Sequence, residues 1–134
     1  MPSIIDIEGI GPKYAKKLND AGIKTVAGLL AAGKTPKGRE ELAAKAGIEK
    51  SLILEWVNHA DLYRIKGVGQ EYSDLLEEAG VDTVVELATR KPENLYEKIL
   101  ETNKAKKLVR RPPSLKMVSS WVEQAKALPR EVSY

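Results

Sequence analysis

The chain has 134 residues, of which 43% are hydrophobic and 31% charged, a globular composition that excludes a disordered chain. Because cysteine is absent, disulfides, thiolate metal sites and cysteine nucleophiles are excluded, and the net charge of +3 is too small to indicate a polyanionic partner by itself. The N-terminal segment lacks the basic and apolar runs of a leader, and no window reaches the roughly 20 apolar residues that span a bilayer. We therefore expect a cytoplasmic protein with no membrane partner.

A repeat organises the predicted elements. The segment 7–14, Ile-Glu-Gly-Ile-Gly-Pro-Lys-Tyr, recurs 58 residues later at 65–72 as Ile-Lys-Gly-Val-Gly-Gln-Glu-Tyr. The match continues without a gap as far as Leu29 and Leu87. Such self-similarity predicts a chain built from two copies of one structural unit.

A weaker echo near the end of each copy sets the domain boundaries. Trp56-Val57 resembles Trp121-Val122 at an offset of 65 residues, so the second copy carries extra residues around 102–113. We predict a first unit at residues 1–60 and a second at 61–134, the second including a C-terminal amphipathic helix. Both tryptophans are predicted to be core residues.

Short helices are predicted throughout, and no segment has the period-2 alternation of a strand. Pro12 suits a first helical turn, and Gly22 suits the end of that helix. Thr25 and Thr83 are predicted N-caps, because a threonine hydroxyl accepts a hydrogen bond from an unpaired backbone N–H. Further helices are expected, with boundaries uncertain by about 2–4 residues, over residues 26–32, 36–46, 51–60, 84–90, 92–102 and 114–128.

Two Gly-h-Gly segments, in which h is apolar, precede the first helix of each unit: Gly9-Ile10-Gly11, the first glycine turn, and Gly67-Val68-Gly69, the second glycine turn. Glycine permits torsions that other residues resist and lets another chain approach closely, while the apolar residue enters the core. Amides at the following helix start favour an anion, because they are unpaired and lie at the positive end of the helix dipole. The alternative is a tight turn with only a structural role.

Both glycine turns resemble the helix-hairpin-helix motif, in which an apolar residue, Gly-h-Gly, a small residue and a leucine follow in order. Ser73 in place of alanine is a mild departure. The matching residues are Ile7, Gly9, Ile10, Gly11, Ala15 and Leu18, then Ile65, Gly67, Val68, Gly69, Ser73 and Leu76.

The wider pattern, with 110–117 and Trp121-Val122, resembles a bacterial tandem helix-hairpin-helix family described only as a domain of unknown function. The resemblance implies an all-α fold of two SAM-domain-like helical units, compactly packed. Helix-hairpin-helix proteins commonly bind the nucleic-acid backbone without reading sequence, and others use the same unit to bind proteins.

Charge separates the two turns. Lys13, Lys16 and Lys17 follow the first, whereas Glu71 and Asp74 follow the second. The net charges of residues 1–60, 61–100 and 101–134 are +2, −4 and +5. The last value comes from a C-terminal basic cluster, which is either a second phosphate contact or a solvated loop: Lys104, Lys106, Lys107, Arg110 and Arg111.

The leading hypothesis is non-sequence-specific DNA binding through the amides of both glycine turns, the three lysines after the first turn and the C-terminal basic cluster. The alternative is a protein-interaction or scaffolding module whose turns are structural. No enzyme activity, cofactor or metal is expected, because the sole histidine, His59, has no cysteine or second histidine to complete a metal site or triad. We predict His59 to be structural and partly exposed.

Overall fold

The computed structural model describes residues 3–134, and Met1 and Pro2, the start of the segment examined for a leader, lie outside it. The described residues form eight α-helices and no strand, which confirms the predicted all-helical fold. No helix within that range is both long and apolar enough to cross a bilayer. A 3-10 turn at Ile4–Asp6 comes first, followed by α1 (Pro12–Asp20), α2 (Val26–Gly33), α3 (Pro36–Ala46), α4 (Lys50–Leu62), α5 (Gln70–Glu78), α6 (Val84–Ala88), α7 (Pro92–Lys106) and α8 (Leu115–Ala127).

The helix starts follow from local chemistry. Proline opens α1, α3 and α7, where its missing N–H removes no helical hydrogen bond. The predicted N-caps are confirmed, since the Thr25 hydroxyl accepts from the Gly28 N–H at 3.0 Å and the Thr83 hydroxyl from the Glu86 N–H at 3.2 Å. The predicted boundaries agree to within about four residues.

The described chain divides into two compact units. The first unit runs to Asp61 and also includes Glu131–Tyr134, and the second is Leu62–Arg130. In the first unit α3 packs against α1 and α2. The core of this unit contains Leu18, Leu29 and Trp56.

Backbone and side-chain hydrogen bonds join residues 131–134 to the rest of the first unit. The Ser133 N–H donates to the Lys34 carbonyl at 2.8 Å, and the Arg39 guanidinium donates to the Ser133 carbonyl at 2.7 Å. Val132 is buried, and the Tyr134 hydroxyl lies 3.1 Å from Asn58 Oδ1. The core of the first unit therefore includes a segment distant in sequence.

In the second unit α8 packs against α6 and α7, and α5 packs against α7. The core is a single apolar cluster that includes Leu76, Ile99 and Trp121. The buried Asn103 side chain holds the turn after α7, since its Nδ2 donates to the Val109 carbonyl at 3.1 Å and its Oδ1 accepts from the Val109 N–H at 2.9 Å. The extra residues of the second copy thus form an ordered turn.

The prediction that His59 is partly exposed is wrong. Its residue surface is only 2% exposed, because the second half of α4 is buried on nearly all sides, as Trp56, Val57 and Asp61 also are. The predicted burial of both tryptophans is confirmed, with Trp56 1% and Trp121 2% exposed.

Candidate functional site

The two glycine turns have the same backbone geometry. Gly9 has φ of 95° and Gly67 has φ of 97°, in the region that favours glycine. In each turn the N–H of the middle residue donates, at 3.1 Å, to the carbonyl three residues earlier. The middle residues Ile10 and Val68 are buried, while the glycines on either side are exposed. An apolar residue therefore fixes each turn to its core and leaves the turn's backbone facing solvent.

A buried tryptophan lies behind the first glycine of each turn. A Cβ added to Gly9 would come within 3.3 Å of Trp56 Nε1, and one added to Gly67 within 3.2 Å of Trp121 Nε1. A tyrosine on the following helix contacts each indole, with ring centroids 5.1 Å apart for Tyr14–Trp56 and 5.2 Å for the Tyr72 pair. Torsion and packing together explain the first glycine of each turn.

The second glycine of each turn has no such internal explanation. Gly11 has φ of −85° and Gly69 has φ of −119°, extended values that any residue adopts. A Cβ added to either would meet nothing within 4 Å in the described chain. Two explanations remain for such a glycine: it is preferred to alanine as an N-cap, and it permits an external group to approach the backbone closely.

The helices that follow the two turns also begin without a side-chain cap. Neither Gly11 nor Gly69, the N-cap residues of α1 and α5, can supply one. Since the first N–H groups of a helix have no intrahelical partner, these amides are left to solvent or to a ligand. The start of α7, at Lys91, also lacks a side-chain cap. By contrast, α2, α3, α6 and α8 begin with hydroxyl caps that accept from the backbone: Thr25, Thr35, Thr83 and Ser114.

The three lysines after the first turn differ in their contacts. Lys16 pairs with Asp20 at 3.3 Å, with both side chains well exposed. Lys17 donates to the Gly47 carbonyl at 3.4 Å and also contacts the Tyr14 ring. Lys13 is exposed, and it is the one lysine of the three whose ammonium group makes no ion pair or hydrogen bond within residues 3–134. Lys13 is therefore the cation most available to an anion at the first turn.

The C-terminal basic cluster lies in the second unit, not in the unit that contains the three lysines. Lys104 and Lys106 occupy the last turn of α7, where positive charge stabilises the negative end of the helix dipole, and Lys106 also pairs with Glu78. Lys107 follows as the left-handed C-cap of α7. These three lysines thus lie where positive charge or a left-handed backbone suits the end of α7.

The exposed Arg110 and Arg111 lie beside α5, because the Tyr72 hydroxyl donates to the Arg111 carbonyl at 3.0 Å. The second glycine turn is also held from α8, since the Lys66 N–H donates to Gln124 Oε1 at 2.8 Å and Gln124 Nε2 donates back to the Lys66 carbonyl. Glu71 lies in the first turn of α5, so a carboxylate already occupies the positive end of that helix.

Sequence reasoning missed Arg39, a buried cation in the first unit that is 6% exposed. Its guanidinium donates to the Gly33 carbonyl at 2.9 Å and to the Ser133 carbonyl. Comparison of the two copies offers a signal for this burial. Both α3 and α7 begin with proline, and the fourth residue of α7, at the position equivalent to Arg39, is the buried Leu95.

The fold and the turns define an all-helical protein of two units, each with an exposed and uncapped helix start behind a glycine turn. The family model described as "Domain of unknown function (DUF4332)" matches residues 8–128, so the chain belongs to this family. The matched range contains both glycine turns and both tryptophans. No curated protein and no solved structure matches the chain.

Proposed function

We propose that the two units are tandem helix-hairpin-helix modules and that the chain binds DNA without sequence preference, chiefly through the first glycine turn. A backbone phosphate would accept from the open amides of the first turn of α1, and Lys13 would add charge. The observation that carries the proposal is Gly11, which neither torsion nor packing within the described chain requires. A phosphate seated against the backbone would require it.

The second glycine turn contributes less to this proposed interface. Glu71 competes for the amides of α5, and like charge opposes a phosphate there. Arg111, whose carbonyl accepts from Tyr72 in α5, and the adjacent Arg110 add positive charge, so a weaker contact to a neighbouring phosphate is part of the proposal. Lys104, Lys106 and Lys107 add only to the general field.

The first experiment measures binding of a labelled random-sequence duplex across a salt series. Lys13→Glu is expected to weaken binding at least tenfold and to lower the slope of log affinity against log salt by about one or more. Lys37→Glu is the matched control, because Lys37 also follows a helix-opening proline and is exposed, but Thr35 caps its helix. Equal losses in both variants would mean that net charge alone attracts DNA.

A second variant separates binding from folding. Gly11→Asp places a carboxylate where it accepts from the open amides of α1, so the free energy of unfolding should stay equal or rise by about 0.2–0.5 kcal/mol. DNA binding should nevertheless be lost, because the carboxylate occupies and repels the phosphate position. Gly69→Asp makes the same charge change at the second turn and should weaken binding less. If the native protein binds no DNA at low salt, the turns are structural and the protein-interaction module becomes the better proposal.

A further inference from the structure

A cavity of about 220 Å³ lies within the first unit, at the starts of α3 and α4. No carboxylate is among its lining residues in the described chain. Two of its five lining side chains are cationic and one carries a hydroxyl, and the lining consists of Pro36, Arg39, Lys50, Ser51 and Leu54. The lining is thus suited to an anion.

The charge of Arg39 has no counter-ion in the described part of the chain. Its two hydrogen-bond acceptors, the carbonyls of Gly33 and Ser133, and the Tyr134 ring, whose centroid lies 5.9 Å from the guanidinium, are all neutral, and a guanidinium has five N–H donors. Burying an uncompensated charge costs free energy. The fold does not require a charged residue at this position, because the equivalent residue in α7, Leu95, is apolar and is 2% exposed. An anion bound in the cavity would compensate Arg39.

The start of α4 supplies further donors to the same cavity. The N–H groups of Leu52 and Ile53 both donate to the Glu49 carbonyl at 3.2 Å. Those of Lys50 and Ser51, which begin the helix, have no acceptor within residues 3–134. The Lys50 ammonium and the Ser51 hydroxyl are exposed beside them. Donors from two helices therefore line the cavity, and a phosphate group, which has more acceptor oxygens than a carboxylate, can accept from more of them at once.

We infer that this cavity binds the terminal phosphate of a phosphate monoester. Arg39 is too deeply buried for a phosphodiester within a continuous backbone to reach, whereas a terminal phosphate group can enter between α3 and α4. The monoester is either a small free molecule or the phosphorylated end of an oligonucleotide. The inference is independent of the proposed DNA binding, because neither glycine turn lines the cavity.

The test is an amide NMR titration of the full chain with inorganic phosphate, glycerol 3-phosphate and, as the planar control, acetate. The Lys50 and Ser51 amides should shift saturably with both phosphates and not with acetate. Lys50→Gln should weaken the affinity about tenfold, as expected for the loss of one charge-assisted contact. Arg39→Leu, which introduces the residue found at the equivalent place in α7, should abolish saturation, and Lys37→Gln should leave it unchanged. Short single-stranded oligonucleotides with and without a 5′-phosphate distinguish the two sources of the monoester.

Lys50 keeps the test valid even if Arg39→Leu loosens residues 131–134, because Lys50 makes no hydrogen bond or ion pair to that segment. Absence of saturable shifts at Lys50 and Ser51, or affinity unchanged by Lys50→Gln, would overturn the inference. Shifts confined to the Lys13 and Tyr14 amides would also overturn it while supporting the first glycine turn. Shifts at Lys50 that survive Gly11→Asp would support the cavity alone.

Discussion

The two glycine turns have the same backbone geometry, but opposite charges follow them at the starts of α1 and α5. The φ angles of Gly9 and Gly67 differ by 2°. Each glycine lies against an indole, and a tyrosine on the following helix contacts that indole. Yet Lys13, in the helix that follows the first turn, corresponds to Glu71 in the helix that follows the second. The buried side of each turn is therefore set by packing, whereas its exposed side varies independently. Three predictions test how far this equivalence extends.

The largest effect is expected from removing the indoles. Trp56→Ala and Trp121→Ala should each lower the free energy of unfolding by about 3–5 kcal/mol, because a large buried side chain is lost. Urea unfolding followed by circular dichroism measures the loss. Since the chain has only two tryptophans, the fluorescence of the remaining one reports on the other unit. A cost several-fold larger in one unit would show that the two cores are not equivalent.

The cost in stability of replacing a turn glycine by alanine should depend on its position within the turn and not on the unit that contains it. Gly9→Ala and Gly67→Ala should each cost about 1–3 kcal/mol, because alanine is strained at positive φ and its Cβ crowds the indole nitrogen. Gly11→Ala and Gly69→Ala should change the free energy of unfolding by less than about 1 kcal/mol, because two effects oppose each other. Alanine lowers the conformational entropy of the unfolded chain, which stabilises the fold, but it is a weaker N-cap than glycine, which destabilises it. Thermal unfolding of the four variants checks this, and a large cost at Gly11 would reveal an internal role for that glycine.

The smallest change in stability is expected from exchanging the charges. Lys13→Glu should stabilise the start of α1 by about 0.3–1 kcal/mol, and Glu71→Lys should destabilise the start of α5 by a similar amount. DNA affinity should change in the opposite direction in both cases, falling with Lys13→Glu and rising with Glu71→Lys. Filter binding at two salt concentrations, alongside denaturant unfolding, measures both quantities. Stability and affinity moving together would contradict the assignment of these residues to the open helix starts.

The sequence predicted features that depend on nearby residues. The Thr25 and Thr83 caps, the helix that opens at Pro12 and the shared geometry of the two turns all depend on contacts within a few residues or on the repeat itself. The burial of Trp121 also followed from the apolar spacing of the C-terminal helix, and that of Trp56 from the correspondence between the two copies. Whether the turns bind phosphate stays a prediction.

Features that depend on residues far apart in sequence could not be predicted. Lys17 looked like a free cation, but its ammonium contacts the Gly47 carbonyl. Comparison of the two copies places Arg39 opposite Leu95, but it does not reveal that the Arg39 guanidinium donates to the carbonyls of Gly33 and Ser133. Composition and periodicity carry no information about such partners. The candidate cavity therefore emerges only from the folded chain.

The discontinuity of the first unit has a consequence for synthesis. Residues 131–134 complete this unit, and they are translated only after all of Leu62–Arg130. At about 5–20 residues per second, the ribosome needs several seconds to bridge that interval. During this time the Lys34 carbonyl and one face of Arg39 lack their Ser133 partner, while the second unit already has its entire sequence. The N-terminal unit is thus the last to be finished.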